Sequence, residues 1–188
     1  WVKLGKNVII EDFCLIGVPA QGQKEEKETI IGDGAIIRSH TVIYAGNRVG
    51  NHFKTGNKVN IREDNVIGDN VSIGTLSVVE HDVLIEDDVR IHTQAFVPEY
   101  CQLKKGAWIG PNAVLTNAKY PSSPDAKNQL RGVTVEEEAR VGANATILPG
   151  LTIGKKALVG AGSVVTDDVA PASIVVGNKA KQISETAY

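Results

Sequence analysis

His81 stands 18 residues after Glu63 and 18 before Glu99, and Asn117 follows after another 18. An imidazole between two carboxylates can serve as a general base, with one carboxylate fixing its tautomer and raising its basicity. In that arrangement Glu63 or Glu99 orients His81, and the Asn117 amide orients a carbonyl. Asp64, Glu80 and Asp82 crowd the neighbouring positions and would favour a cationic acceptor over a carboxylate. The alternative is an exposed polar edge on which such residues coincide, with His81 binding a substrate or doing nothing.

An interval of 18 matters only if the fold brings such residues together, and the apolar pattern says that it does. Stepping by six from Ile31 to Leu115 meets fifteen residues, of which fourteen are aliphatic and one is Thr55. Small or medium residues such as Ala35, Val71, Cys101 and Ala107 recur four places after each, and Gly, Asp and Asn fill the places between. A helix repeats at 3.6 and a half-buried strand at 2, so neither yields a strict six. A short strand followed by a tight corner does, and three of these make a triangular coil of 18 residues. Residues 18 apart then share a corner, one coil above another, ~4.8 Å apart. Ala45, Glu63, His81, Glu99 and Asn117 form such a column.

The count predicts an all-β parallel β-helix of seven to eight coils, roughly 35 to 40 Å long. Two insertions interrupt it, at 18–29 and 118–134, and the phase resumes at Val135. A tail from 171 to 188 leaves the pattern, and the whole reads as one domain. Cys14 and Cys101 both fall on small inward positions nearly five coils apart, which predicts buried thiols rather than a disulfide.

Composition narrows the function. A net charge of -2 gives no basic field for nucleic acid or an anionic bilayer. No apolar run approaches the ~18 residues of a spanning helix, and the opening WVKLGKN lacks a leader's layout, so a cytoplasmic protein is expected. The chain has no Met, which suggests a short piece before Trp1.

The segments "GANATILPGLTIG", "VGAGSVVT" and "VVGNKAK", with "TNAKYPSS" at the start of the second insertion, resemble the hexapeptide-repeat acyltransferases. Within that superfamily the resemblance is to N-acyltransferases acting on nucleotide-linked amino sugars. It implies the left-handed form of the β-helix, a homotrimer with sites between subunits, and acetyl-CoA or another short acyl-CoA as donor. It assigns Gly142, Ala143, Gly160, Ala161 and Gly162 to the pantetheine, although the same residues could simply make corners. It assigns Lys179 and Lys181 to the CoA phosphates, Lys179 standing where the family usually has Pro. "VVEHDVLI" resembles the His-bearing segment of a related aminosugar branch. Some amino-sugar members are thought to need no protein base, in which case His81 only binds.

Hydroxyl-acetylating branches carry a His in the long loop. Here Tyr120 stands in that neighbourhood, and the loop has no His, which favours an amine acceptor over a hydroxyl. His92, beside "TQAF", could line the same cleft. The four His are separated by 12, 29 and 11 residues, so the three-His set of a γ-class carbonic anhydrase is missing and no metal is expected. A non-catalytic scaffold is the remaining alternative.

Overall fold

The computed structural model describes residues 1–22 and 27–186. Three parallel sheets form the faces of a left-handed β-helix. The first face begins with Val2–Leu4 and Thr29–Ile31 and ends with Thr152–Ile153, eight strands in all. The second runs from Ile9–Ile10 through Leu158–Val159 to Ser173–Val176 and Lys181–Glu185, and the third from Leu15–Val18 to Val164–Val165. Every third strand pairs with the next of its face, so the eight strands of the first face count eight coils, at the upper end of the expected seven to eight.

Registers across each face show why 18 is the operative interval. Val66 and Ile67 lie beside Leu84 and Ile85, and Ser72 and Ile73 beside Arg90 and Ile91. In each pair of residues the second points inward and is buried, as with Ile61, Ile73, Ile85 and Ile109. Fully burying one such side chain stabilises by ~1.5–3 kcal/mol, so stacked aliphatics hold an otherwise short-stranded chain together. In the first coil Leu4 and Ile10 keep the same inward register but remain half-exposed.

The one polar member of the series is satisfied inside the core. Thr55 Oγ1 accepts the Arg38 N–H at 2.9 Å and lies 3.3 Å from Thr41 Oγ1. Cys101 is buried as expected, and burial pushes its thiol up to about 12. Cys14 is half-buried, its Sγ 3.1 Å from the Arg38 carbonyl, and both cysteines are free thiols.

Both insertions leave the prism at the same edge, where the third face turns to the first. The earlier one joins Leu15–Val18 to Thr29–Ile31, and residues 23–26 within it lie outside those described. The later one joins Val114–Leu115 to Thr134–Val135 and contains a 3-10 turn at Ala126–Gln129. Gln102 and Leu103 pair with Thr134 and Val135 across it, so the coil closes as if nothing had been inserted. After residue 171 the chain still adds Ser173–Val176 parallel to Leu158–Val159, and Lys181–Glu185 then returns antiparallel. No helix among the described residues is long and apolar enough to cross a membrane.

Candidate functional site

The corner between the third and first faces carries the polar column, framed by the two insertions. Its support is a ladder of buried asparagines. Asn47 donates its side-chain N–H groups to the carbonyls of Tyr44 and Arg62 at 2.7 and 2.8 Å, and its Oδ1 accepts from the Asn65 backbone. Asn65 donates in turn to the Arg62 carbonyl and accepts from Val83 N–H at 2.7 Å. Hydrogen-bonded buried amides of this kind fix the backbone from which the column projects.

His81, Glu99 and Asn117 come together. Asn117 Nδ2 donates to Glu99 Oε2 at 2.7 Å, and Glu99 Oε1 lies 3.6 Å from His81 Nε2. His81 Nδ1 lies 2.8 Å from Asp82 Oδ2. Asp82, rather than Glu63 or Glu99, is therefore the carboxylate within hydrogen-bond distance of the ring. With the proton on Nδ1 donated to Asp82, Nε2 keeps its lone pair, with Glu99 Oε1 3.6 Å away. The imidazole and Glu99 are each about one-quarter exposed, which shelters them while leaving them open to a ligand.

Glu63 is held instead by Arg62, whose guanidinium donates to both carboxylate oxygens at 2.7 and 2.8 Å and reaches Glu80 at 3.3 Å. The same guanidinium sits 5.2 Å from the centre of the Tyr44 ring. Burial alone would raise the Glu63 pKa, but the Arg62 hydrogen bonds and charge, with a contribution from His81, bring it below the ordinary value. Burial prevails at Glu80, whose pKa is raised. Lys27 pairs with Asp64 at the same edge. Among the described residues, five carboxylates there face Arg62 and Lys27, leaving an excess of negative charge that suits a cationic acceptor.

Sequence reasoning missed Arg62 and Tyr100. Both were reachable by the same counting, since Tyr44, Arg62 and Glu80 are 18 apart, as are Asp64, Asp82 and Tyr100. Tyr100 meets His81 edge-on at 5.9 Å between ring centres. It also lines a cleft of about 550 Å³ with Gln102, Lys127, Asn128, Leu130, Arg131 and Thr134, between the second insertion and the first face.

The other sequence-predicted residues lie elsewhere. Gly142, Ala143, Gly160, Ala161 and Gly162 follow second-face strands and so occupy the corner between the second and third faces. His92 is in the same column, its ring 4.6 Å from that of Trp108. A Cβ on Gly142 would sit 2.6 Å from the Ala161 backbone nitrogen, and one on Gly160 would sit 2.5 Å from Val176, so coil stacking accounts for both glycines. Gly162, with φ +68, faces open space. Tyr120 is exposed, with Lys119 5.6 Å over its ring. Lys179 is paired with Asp167 at 3.2 Å, and Lys181 is exposed on the last strand. No group of three or more His, Cys, Asp or Glu among the described residues is placed to hold a metal.

Comparison with known proteins agrees with this architecture. Residues 132–167 match the family described as the hexapeptide repeat of succinyl-transferase. The bifunctional protein GlmU of Geobacillus sp. (strain WCH70) is 31% identical over 184 residues, 98% of this chain and 36% of that protein. A galactoside O-acetyltransferase of Lactococcus lactis is 34% identical over 106 residues, 54% of this chain and 46% of that one. The chain thus spans little more than a third of the length of the bifunctional relatives it matches. Among solved structures, the UDP-N-acetylglucosamine acyltransferase from Campylobacter jejuni superposes with a TM-score of 0.70 at 17% identity, over 98% of this chain and 70% of that one, which shows a shared fold. Residues 132–167 thus carry the hexapeptide repeat of that family, and the chain as a whole is similar to hexapeptide-repeat acyltransferases and shares their β-helix fold.

Proposed function

We propose that the chain is an acyl-CoA-dependent N-acyltransferase, acting with acetyl-CoA on an amino sugar linked to a nucleotide. The observation that carries the reading is the chain of contacts from Asp82 through His81 to Glu99 and Asn117. Asp82 holds the Nδ1 proton, so Nε2 can accept a proton from the acceptor ammonium. The freed amine attacks the thioester carbonyl carbon, a C–N bond forms, the C–S bond breaks, and the thiolate of CoA takes up a proton. The surrounding carboxylates favour the cationic acceptor before it loses that proton.

The donor residues implied by resemblance lie on another corner of the same prism, so one chain does not supply both halves at one edge. A homotrimer, in which a neighbouring copy brings its second-to-third corner alongside, would complete the site. A hydroxyl acceptor is the second reading. It draws support from the galactoside O-acetyltransferase likeness and from a His–Asp pair able to activate a hydroxyl. Thiol release from acetyl-CoA, measured against paired amino and hydroxy forms of nucleotide-linked sugars, separates the two. Turnover confined to hydroxy sugars would refute the amine reading, and no release with any acceptor would favour a scaffold.

A further inference from the structure

The cleft beside Tyr100 carries chemistry that the acyl-transfer reading does not use. Arg131 closes the second insertion and is pinned from both sides. Its N–H donates to the Asn117 carbonyl at 2.9 Å, and its own carbonyl accepts from Gly150 N–H at 2.9 Å. Its guanidinium donates to the Leu130 carbonyl at 2.8 Å and makes no ion pair with a carboxylate among the described residues. Lys127 lines the same cleft from the 3-10 turn, likewise without an acidic partner among them. Asp125, the acid nearest in sequence, is committed to Asn128 and Gln129 at 2.7 and 3.1 Å, and these hydrogen bonds hold its carboxyl below the usual range. Lys104, Lys105, Lys155 and Lys156, elsewhere on the surface, are each paired with a carboxylate.

Two cations without counter-ions, facing one cleft that also offers the neutral side chains of Gln102 and Thr134, make a surface complementary to an anion. A guanidinium fixed at the root of a loop is suited to bidentate contact with phosphate oxygens. Tyr100 forms the wall shared between this cleft and His81. An acceptor could therefore place its amine by His81 on the acidic side and its anionic arm by Arg131 on the basic side.

We propose that the cleft is a phosphate subsite, in which Lys127 and Arg131 hold the phosphate or diphosphate of the acceptor while Tyr100 separates it from the acyl-transfer corner. The proposal deepens the reading above, since it rests on a phosphate-linked acceptor, yet its test needs no catalysis. Inorganic pyrophosphate is titrated calorimetrically into the whole protein, its Lys127→Gln/Arg131→Gln double variant and a Lys105→Gln control whose lysine is paired elsewhere. Losing two charge-assisted contacts should weaken binding by about tenfold or more, with the control unchanged. Competition by uridine diphosphate and by glucose 6-phosphate then identifies the source of the phosphate, the tighter competitor naming the linkage. No pyrophosphate binding to the unaltered protein at millimolar concentration, or equal binding by the double variant, would overturn the subsite. So would an equal loss in the control, which would mark a general charge effect. Pyrophosphate binding lost in the double variant, in a protein that transfers no acyl group, would leave the subsite standing and remove the acyltransferase reading.

Discussion

At the proposed site, the distances between His81, Asp82, Glu99 and Asn117 rank the roles proposed for them. Asp82, at 2.8 Å, is close enough to fix the His81 tautomer, whereas Glu99, at 3.6 Å, is too far for a hydrogen bond and acts by charge. Asp82→Asn should therefore lower the turnover number more than Glu99→Gln does, which steady-state kinetics of the two variants will compare. Glu63 belongs to a different circuit. Its pKa is lowered in the folded chain, so its contribution to stability is present above the ordinary carboxylate value and is lost as pH falls through the folded one. Denaturant unfolding followed from about pH 6 down to about pH 3 should show a shallower loss in Glu63→Gln than in the unaltered protein. The position of His81 between carboxylates was legible from spacing alone. Which carboxylate reaches the ring was not, because Asp82 is its immediate neighbour and only corner geometry decides whether adjacent side chains can meet.

At the scale of the strand and corner, the repeat specifies its own architecture. A two-residue strand contributes a single buried side chain, so stability comes from stacking identical positions, and the six-residue count of aliphatics states that stacking directly. Coil number and the presence of two insertions followed from it. The glycines were read from resemblance and not from counting. The resemblance assigns Gly142 and Gly160 to a ligand, yet each lies where a Cβ would strike the next coil. Gly142→Ala should destabilise by ~1–3 kcal/mol through overpacking, as measured by urea unfolding. Asn65→Ala removes buried hydrogen bonds beneath the column and should cost ~1–3 kcal/mol in the same measurement, because the Arg62 carbonyl and Val83 N–H lose a partner. Neither value depends on the identity of the substrate.

For the whole molecule, the two insertions and the polar column share one edge of the prism, and the glycine corner lies on another. That separation is the reason for proposing a homotrimer, in which a neighbouring copy would bring the second corner to the first. The insertions themselves were the least legible part. Their sequences have no period, and their shape depends on packing against the prism, so the Lys127–Arg131 cleft emerged only from the fold. The central claim, that the third-to-first corner performs acyl transfer, is tested most directly by the turnover number of His81→Asn on an accepted amine. A fall of ~100-fold or more, the usual contribution of a general base, is the predicted result. A turnover number within about threefold of the unaltered enzyme would contradict it, since a base that matters cannot be removed so cheaply.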